Sequence, residues 1–425
     1  MLDVAYLREN LDTVKENCKN RNVVADVDTV ITFDDQRKKL RHEAQQFQQE
    51  ANELQKKIKG TKDADERQQL IEKGRELRQQ VSDLEEQVKD VEQQLRQALN
   101  VIPNITHPDA PVGTDDSANK VIKKHGEPTK FDFTPKDHYE LCEALDLADF
   151  EAGSNVVGPK FYYLKNEGAL LEIALVQYAM QKLVEKGFVP IITPDMAKAE
   201  VLEGIGFIPR GEETQIYSIE NTDLCMIATA EITLGGMHKD KILQETDLPQ
   251  RYVGLSHCFR TEAGAAGRDT RGLYRVHQFT KVEMFAFCVP EQSDAIHEDI
   301  LAIEEEIFQG LGLPYHVIDT CTGDLGGPAY RKYDIEAWMP GRGEGGEYGE
   351  VTSTSNCTDY QARRLNIRYK GPDFKGTRFV HTLNGTAVAS TRAILAILEN
   401  YQQEDGSVLI PEALQKWVGK DKISR

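Results

Sequence analysis

The stretch Cys258–Phe287, which reads CFRTEAGAAGRDTRGLYRVHQFTKVEMFAF, decides the fold that we predict for this chain. It contains two apolar segments joined by a loop rich in glycine and arginine, and this pattern predicts two strands that pair as a hairpin. Residues an even number of positions apart on a strand point to the same face, so Arg260 and Glu262 share a face of the first strand. Three residues of the second strand, spaced four apart, also share a face: Arg275, Phe279 and Glu283.

The side chains on this face have the chemistry of a binding pocket. A guanidinium donates two parallel hydrogen bonds to a phosphate and keeps its charge, and an aromatic ring offers a flat surface to a nucleotide base. A carboxylate accepts hydrogen bonds from an amine or an ammonium. The hairpin therefore predicts a pocket for a nucleoside triphosphate and a small amino compound. The alternative is an exposed hairpin whose alternating charges only face solvent.

The length and composition of the chain limit its class. With 425 residues it can form two or three domains, and its formal net charge of −19 argues against a protein that coats nucleic acid by bulk attraction. A nucleic-acid partner would have to meet a locally basic surface. The seven cysteines are scattered without Cys-x-x-Cys spacing, which indicates a reduced protein with neither a disulfide framework nor a structural zinc site.

The sequence carries no signal for export or for a membrane. The N-terminal segment MLDVAYLREN has no apolar core, and no run of about 18 apolar residues occurs in the chain. We therefore predict a cytoplasmic protein without a membrane partner.

The first hundred residues differ in composition from the rest. Between Asp34 and Leu99 glutamine and charged residues dominate, and apolar or small residues recur every three or four positions. This heptad seam has two segments, interrupted at Gly60-Thr61-Lys62-Asp63, and predicts an antiparallel two-helix coiled coil with helices roughly 40–50 Å long. The seam consists of Leu40, Ala44, Phe47, Ala51, Leu54 and Ile58, followed by Leu70, Leu77, Val81, Leu84, Val88, Val91, Leu95 and Ala98.

Two uses of this arm are open from the residues alone. One is a dimerisation or scaffold coiled coil; the other is a contact along a phosphate backbone, because basic residues cluster near the helix starts and the turn. A proline-containing stretch follows the second helix. We divide the chain into a helical arm (residues 1–100), a linker (101–118) and a body of alternating helices and strands (119–425).

Two patterns precede the hairpin in the body. The segment Ala169–Lys186 predicts a helix with a broad apolar face, and a glycine, an apolar strand and Pro194 follow it. Further on, Thr229-Ala230-Glu231 comes directly after an apolar segment. Glu231 would accept from a substrate ammonium; the alternative is that Thr229 caps a helix.

Two patterns follow the hairpin. Glu350 and Ser353 offer oxygen atoms to Mg²⁺, a hard cation that shares its coordination with water and phosphates. The alternative there is a strand that leads into a capped helix. From His381 to Arg392 the chain passes from a strand through small residues into a helix, so that Arg392 in the first turns can reach a triphosphate. The alternative is an arginine on an exposed helix face.

These patterns, in this order, resemble the signatures of a known enzyme family. The hairpin resembles the second signature motif of the class II aminoacyl-tRNA synthetases, the helix and strand that end at Pro194 resemble the first, and the helix start at Arg392 resembles the third. Thr229-Ala230-Glu231 matches the serine-binding signature of the seryl-tRNA synthetases. The resemblance covers essentially the whole chain and indicates the bacterial type.

The resemblance implies both a fold and an activity. The fold would be α+β, with the class II antiparallel sheet flanked by helices and preceded by the coiled-coil arm. The activity would be that of an ATP-dependent ligase, which converts L-serine to seryl-adenylate and pyrophosphate and transfers serine to the 3′ end of tRNA(Ser). In this family the arm holds the long variable arm of the tRNA across a homodimer, and the same contact would admit tRNA(Sec).

The resemblance also implies roles for individual residues. Arg260 and Arg392 would be the catalytic cations, and Glu350 and Ser353 would hold Mg²⁺. The implied serine-binding residues are Thr229, Ala230, Glu231, Arg260, Glu283 and Thr386. The implied ATP-binding residues are Arg260, Thr261, Glu262, Arg275, Val276, His277, Gln278, Phe279, Glu350, Val351, Thr352, Ser353 and Arg392.

The chain departs from many bacterial members at two points, and three alternatives remain. Thr386 stands where many members have serine, which keeps the hydroxyl and predicts a tighter pocket, and Ala389-Ser390-Thr391 replaces a run that contains glycine. The first alternative is a synthetase-like paralogue that loads an amino acid onto a carrier protein. The others are a related enzyme for threonine, proline or glycine and a non-enzymatic coiled-coil protein. The arm and the Thr-Ala-Glu triplet favour serine and tRNA.

Overall fold

A computed structural model describes residues 1–207, 215–263 and 271–425 of the chain. These residues form two compact units, Met1–Ile105 and Thr106–Arg425. The middle of the predicted Gly- and Arg-rich loop, residues 264–270, lies outside the described part. Among the helices that are described, none has an apolar stretch long enough to cross a bilayer.

The first unit is entirely helical. Its helices are α1 (Val4–Glu9), α2 (Leu11–Asn20), α3 (Val27–Gly60) and α4 (Ala64–Val101). Only three residues join α3 to α4, and the two long helices pack along each other, as the heptad seam predicts. Every predicted seam residue is buried or half-buried, while the outer faces of both helices are exposed. The predicted coiled-coil arm is therefore confirmed.

Acidic caps fix where the two long helices begin. Asp26 accepts a hydrogen bond from the Thr29 amide at the start of α3, and Asp63 accepts one from the Glu66 amide at the start of α4. Each carboxylate satisfies an amide that has no partner within the helix and complements the helix dipole. Since Asp63 belongs to the four residues that interrupt the seam, the cap turns the chain back into the second helix.

The second unit is built around one large sheet. Its helices are α5 (His138–Leu145), α6 (Phe150–Val156), α7 (Asn166–Glu185), α8 (Ala199–Ile205), α9 (Ala230–Gly236), α10 (Ser293–Gly310), α11 (Tyr360–Leu365), α12 (Ser390–Tyr401) and α13 (Glu412–Val418). Its strands are β1 (Lys120–His125), β2 (Ala148–Asp149), β3 (Tyr163–Leu164), β4 (Val189–Ile192), β5 (Met196–Lys198), β6 (Leu224–Met226), β7 (Ile242–Gln244), β8 (Gln250–Phe259), β9 (Gln278–Cys288), β10 (Tyr315–Asp319), β11 (Arg331–Met339), β12 (Glu347–Asn356), β13 (Arg368–Lys370), β14 (Arg378–Phe379), β15 (His381–Ala389), β16 (Val408–Leu409) and β17 (Lys422–Ile423).

The large sheet has eight strands in the order β1-β10-β11-β12-β15-β9-β8-β4. Every neighbouring pair is antiparallel except β4 and β8, which run parallel. The helices α7, α10 and α12 pack against the sheet and close a large apolar core with it. The predicted α+β architecture, an antiparallel sheet flanked by helices, is confirmed.

The predicted hairpin is present as β8 and β9, with Cys258 opposite Phe279 and Gly254 opposite Glu283. The strands are shorter at the loop end than the sequence suggests, because β8 ends at Phe259 and β9 begins only at Gln278. At Thr261 the pairing leaves the hairpin, because the Thr261 amide donates to the carbonyl oxygen of Gln215, and Glu262 follows with a φ of 48°, in the left-handed region. Arg260, Glu262 and Arg275 therefore lie outside the two strands, where the predicted strand alternation does not place them.

Candidate active site

The predicted site residues meet in one cavity of about 460 Å³ in the second unit. The strands β9, β11, β12 and β15 and the first turn of α12 supply about half of its lining residues, and loops with the helices α8 and α9 supply the others. Fourteen of the predicted site residues line it: Thr229, Glu231, Arg260, Glu262, Arg275, Val276, Phe279, Glu283, Glu350, Val351, Thr352, Ser353, Thr386 and Arg392.

Four predicted residues are not among the described residues that line this cavity: Ala230, Thr261, His277 and Gln278. Ala230 is fully buried. The ring of His277 stacks on Phe161, with 5.2 Å between the centroids, and its Nδ1 lies 2.6 Å from the hydroxyl of Tyr217. Gln278 lines a smaller neighbouring cavity instead. Their assignment as ligands stays a prediction.

A buried pair of polar side chains forms one end of the cavity. Thr386 and Glu283 are opposite each other on β15 and β9, and the threonine hydroxyl donates to the carboxylate at 3.1 Å. Lys281 lies two residues before Glu283 on the same strand face, and its ammonium is 2.7 Å from the same carboxylate. Since all three side chains are less than a tenth exposed, the carboxylate faces the cavity as a fixed acceptor.

Glu231, at the start of α9, is the second carboxylate at this end. Its Oε1 accepts hydrogen bonds from the side-chain amides of Gln361, at 2.7 Å, and Asn384, at 2.9 Å. Burial, together with the negative charge of Glu283, raises the pKa of Glu231 to about 7, although the Gln361 hydrogen bond opposes the shift. An ammonium that binds here would therefore favour the charged form of the carboxylate.

The helix cap that the sequence offers at the Thr-Ala-Glu triplet is present in the structure. Thr229 is the N-cap of α9, and its hydroxyl accepts a hydrogen bond from the Glu231 amide at 3.2 Å. Thr229 and Glu231 also line the cavity. The cap thus fixes the first turn of the helix that carries the carboxylate.

Cations and an aromatic ring line the middle of the cavity. The guanidinium of Arg260 lies 5.3 Å from the ring centroid of Phe279, and its Nε donates to the carbonyl oxygen of Ala228 at 3.4 Å. Arg275 approaches Glu262, with 3.4 Å between Nη1 and Oε2. The predicted aromatic platform and both predicted cations of the hairpin therefore share one wall.

Arg392, in the first turn of α12, is a third arginine of the cavity wall. Its Nη1 donates to the carbonyl oxygen of Glu350 at 2.8 Å and lies 3.4 Å from the carboxylate of the same residue. Its guanidinium carbon is 4.6 Å from the ring centroid of Tyr274, another residue of the wall.

A β-bulge brings Glu350 and Ser353 to the same side of β12. Residues three apart on a regular strand point to opposite faces. Here Glu336 pairs with Glu350 while Ile335 pairs with Thr352, so Val351 is an extra residue that resets the alternation. Both predicted Mg²⁺ ligands consequently line the cavity.

The donor set around the bulge suits Mg²⁺. A carboxylate and a hydroxyl are hard oxygen ligands, and they leave room for substrate phosphates and water. Nearby, Asp334 is buried, and its Oδ1 accepts no hydrogen bond from any described residue. Among the described residues no group of three or more histidine, cysteine, aspartate or glutamate side chains is placed to hold a metal ion.

The sequence analysis missed several side chains that shape the cavity. Lys281 and Asn384 each lie two positions before a predicted residue on a strand, so strand alternation contained the signal for both. Gln361 is on α11, and only the tertiary fold brings it to Glu231. Lys332, on β11, lines the cavity and pairs with Asp334 at 2.8 Å.

Comparison with known proteins adds the family context. Two protein-family models match the chain: the tRNA synthetase class II core domain (G, H, P, S and T) over residues 215–401, and the seryl-tRNA synthetase N-terminal domain over residues 1–106. The serine–tRNA ligase of Treponema denticola is 56% identical to the chain and covers 100% of both proteins. That of Rhodopirellula baltica is 55% identical, over 100% of this chain and 99% of the relative.

Solved structures agree with the sequence matches. The seryl-tRNA synthetase of Pyrococcus horikoshii, complexed with ATP, superposes with a TM-score of 0.91 at 42% identity and covers 100% of this chain and 99% of that one. The cytoplasmic serine–tRNA ligase of Naegleria fowleri, complexed with AMP, gives a TM-score of 0.86 at 32% identity with the same coverage. A prolyl-tRNA synthetase of Giardia lamblia, at 15% identity and a TM-score of 0.56, shares the fold alone.

Proposed function

This chain belongs to the seryl-tRNA synthetase family, and we propose that its cavity activates L-serine with ATP and passes the serine to the 3′ end of tRNA(Ser). One observation carries the proposal beyond family membership. A single cavity contains two pairs of side chains. Glu283 and Thr386 are buried and can form hydrogen bonds with a substrate hydroxyl, and Arg392 lies beside the carboxylate of Glu350. An amino acid with a hydroxyl fits the first pair, and a triphosphate with its metal fits the second.

The serine subsite contains one group for each polar part of the amino acid. Glu231 binds the ammonium, and the Thr229–Glu231 segment holds it in place. Glu283 and Thr386 form hydrogen bonds with the side-chain hydroxyl. Alanine would leave these buried groups without a partner, and a site of this kind rejects such an analogue strongly. Arg260 holds the serine carboxylate together with the α-phosphate of ATP.

Other residues that line the cavity form the ATP subsite. Phe279 stacks on the adenine, Glu262 accepts from its exocyclic amine, and Val276–Phe279 border the base. Arg275 and Arg392 bind the outer phosphates. Arg275 lies 3.4 Å from the carboxylate of Glu262, and Arg392 lies 3.4 Å from that of Glu350, so each phosphate-binding arginine adjoins an acid of the same cavity.

Glu350 and Ser353 would hold Mg²⁺ against the outer phosphates of ATP, where the ion would neutralise their charge. The serine carboxylate attacks the α-phosphorus in line, and pyrophosphate leaves, so no protein nucleophile is required. Arg260 stabilises the charge that develops at the α-phosphate, and Arg392 holds the leaving group. Alignment and fixed positive charge are the main sources of acceleration in such transfers. The terminal adenosine hydroxyl of the tRNA then attacks the carbonyl carbon of the adenylate, the ester forms, and AMP leaves.

The family also implies partners for the chain in the cytoplasm, where we place it. The coiled-coil arm would hold the long variable arm of tRNA(Ser), and the same contact would admit tRNA(Sec). A second copy of the chain would complete a homodimer. The apolar side chains of Ile173, Val189 and Ile192, which are 57%, 52% and 81% exposed on α7 and β4, support such a contact.

An enzyme that loads an amino acid onto a carrier protein is the alternative function. The arm argues against it, because a 34-residue helix and a 38-residue helix packed into a polar-faced coiled coil suit a long RNA partner. The two functions share the activation step and differ in the acceptor, so only the second half-reaction separates them.

The first experiment is amino-acid-dependent exchange of pyrophosphate with ATP, run with each of the twenty amino acids and without tRNA. We expect exchange with serine and at most trace exchange with alanine and threonine. Exchange with a different amino acid would keep the enzyme class and contradict the assignment of Glu283 and Thr386. A following charging assay with tRNA(Ser) distinguishes the tRNA ligase from the carrier-loading alternative.

A further inference from the structure

Tyr274 is a residue of the cavity wall to which the proposed mechanism gives no role. It precedes β9 and is only 9% exposed. Two guanidiniums lie over its ring: that of Arg392, 4.6 Å from the ring centroid, and that of Arg342, 4.5 Å from it. A cation over an aromatic face is attracted by the negative charge density of the ring.

Hydrogen bonds tie the same three residues together. The carbonyl oxygen of Tyr274 accepts from Nε of Arg392 at 3.4 Å, and its hydroxyl accepts from Nη1 of Arg342 at 3.2 Å. Arg342 also donates to the carbonyl oxygen of Tyr348 on β12, at 3.3 Å. Arg342 therefore anchors the ring of Tyr274 to β12, while the other cation over the ring, Arg392, lines the cavity.

Glu350 competes with a bound phosphate for the hydrogen-bond donors of Arg392, whereas the ring of Tyr274 does not. The backbone oxygen and the carboxylate of Glu350 both approach Nη1 of Arg392, so they compete with a phosphate for its donors. A ring that contacts the flat face of the guanidinium holds it without occupying the N–H groups, which lie in the guanidinium plane. Nε and Nη1 of Arg392 donate to the carbonyl oxygens of Tyr274 and Glu350, and none of the contacts described above engages Nη2.

We infer that Tyr274 is a positioning residue for the triphosphate: its ring, anchored by Arg342, holds the guanidinium of Arg392 with a donor edge toward the outer phosphates of ATP. The inference deepens the proposed function, since it rests on the assignment of Arg392 to those phosphates. It concerns neither serine nor the base, because the contacts of Tyr274 described above lead to Arg392.

The test compares Tyr274→Phe with Tyr274→Leu in serine-dependent pyrophosphate exchange. Phenylalanine keeps the ring over Arg392, and we expect a KM for ATP within about twofold of the wild-type value. Leucine removes the aromatic face, and we expect the KM for ATP to rise roughly fivefold to tenfold while the KM for serine changes less than about twofold. AMP, used as a competitive inhibitor, should bind all three proteins equally, because it lacks the outer phosphates.

Several outcomes would overturn the inference. One is a normal KM for ATP in Tyr274→Leu; another is an equal loss in Tyr274→Phe, which would assign the effect to the hydroxyl. An equal rise in both KM values, or weaker AMP binding, would indicate a general disturbance of the cavity. If Tyr274→Leu does not fold, Arg342→Leu is the second variant: it keeps the ring of Tyr274 but removes the side chain that anchors it. The KM for ATP should then rise about threefold, and no rise would count against the inference. Wild-type protein without serine-dependent exchange would instead refute the proposed function.

Discussion

Individual carboxylates in this protein behave differently because their surroundings differ. Glu231 is partly buried and Glu304 is fully buried, and burial raises the pKa of each. Glu231 faces the cavity, where an ammonium can compensate its charge. Glu304 lies behind the sheet, where its Oε2 accepts from the hydroxyl of Thr352 at 2.9 Å and its Oε1 accepts no hydrogen bond from the described residues. The charge of Glu231 can therefore be compensated by a bound cation, whereas burial disfavours the charged form of Glu304 within the core.

We expect the affinity for serine to depend on the ionisation of Glu231. Its pKa of about 7 in the free protein means that the carboxylate is protonated as the pH falls through neutrality, and a neutral acid no longer attracts an ammonium. The KM for serine in pyrophosphate exchange should rise about tenfold per pH unit below this value, while the KM for ATP changes much less.

The hydrogen bond from Gln361 gives this prediction a matched control. That bond favours the charged form of Glu231, so Gln361→Leu should move the midpoint of the serine profile to higher pH. The charged neighbours Glu283, Lys281 and Arg260 are unchanged in this variant. A profile that keeps its midpoint in Gln361→Leu would assign the titration to another group.

A second prediction concerns stability and Glu304. Its pKa is well above 4.5 in the folded state, so between the ordinary and the raised value the folded protein binds a proton that the unfolded chain releases. Stability must then fall as the pH rises through this interval. Glutamine cannot titrate, and the melting temperature of Glu304→Gln relative to wild type should increase from pH 5 to pH 8.5.

Glu306, two positions after Glu304 on α10, provides the control for this experiment. Glu306 is 44% exposed and pairs with Lys182 and Lys186, and these hydrogen bonds lower its pKa. It is ionised at both pH values, so the effect of Glu306→Gln should not change between them. A pH-independent difference for Glu304→Gln would show that Glu304 is ionised in the folded protein.

At the scale of the elements, bulges and caps decide which side chains face the cavity. The alternation of β9 was readable from the sequence, and it correctly placed Phe279 and Glu283 on one wall. The bulge at Val351 was not readable, because no local residue preference marks it and the pairing with β11 creates it. The spacing of Glu350 and Ser353 alone would have put them on opposite faces. The family resemblance identified both residues, and the bulged pairing of β12 with β11 explains why both line the cavity.

The base of the arm depends on one buried acid, Asp34 in α3. Its side chain is only 1% exposed and contacts three cations, Arg8, Arg37 and Lys38. Burial disfavours its charge, but the hydrogen bonds from these cations outweigh burial and lower its pKa. Its contribution to stability is thus present above the unfolded-state pKa and is lost as the pH falls through the lower folded value.

We expect Asp34→Asn to loosen the start of α3. The cations are partly exposed, so the loss should be about 1–3 kcal/mol and not the full cost of a buried unpaired charge. Hydrogen exchange of the amides in the first turns of α3, in the full chain at pH 7, measures it. Asp35→Asn is the matched control, because Asp35 also pairs with Arg8 but is 62% exposed; its effect should stay below about 0.5 kcal/mol.

At the scale of the whole molecule, the two compact units have different proposed roles: the second activates serine, and the first binds tRNA. The second contains every described residue of the cavity, and the first contains the coiled coil. If the arm serves only tRNA, the two half-reactions must respond separately to a change in its length. The heptad seam allows such a change without altering the pattern of buried residues.

The variant that tests this division lacks residues 44–57 and 68–81, two heptads from each helix, and keeps the turn between them. Ile58 then takes the seam position of Ala44, and Leu84 takes that of Leu70, so the shortened helices keep their pairing. Serine-dependent pyrophosphate exchange should be unchanged, while kcat/KM for charging tRNA(Ser) falls by about a hundredfold or more, because the contact to the variable arm is lost. A tRNA(Ser) transcript without its long variable arm should be charged equally by both proteins. Efficient charging of intact tRNA(Ser) by the shortened protein would show that the arm has another role, and the dimerisation coiled coil would then become the better interpretation of the same seam.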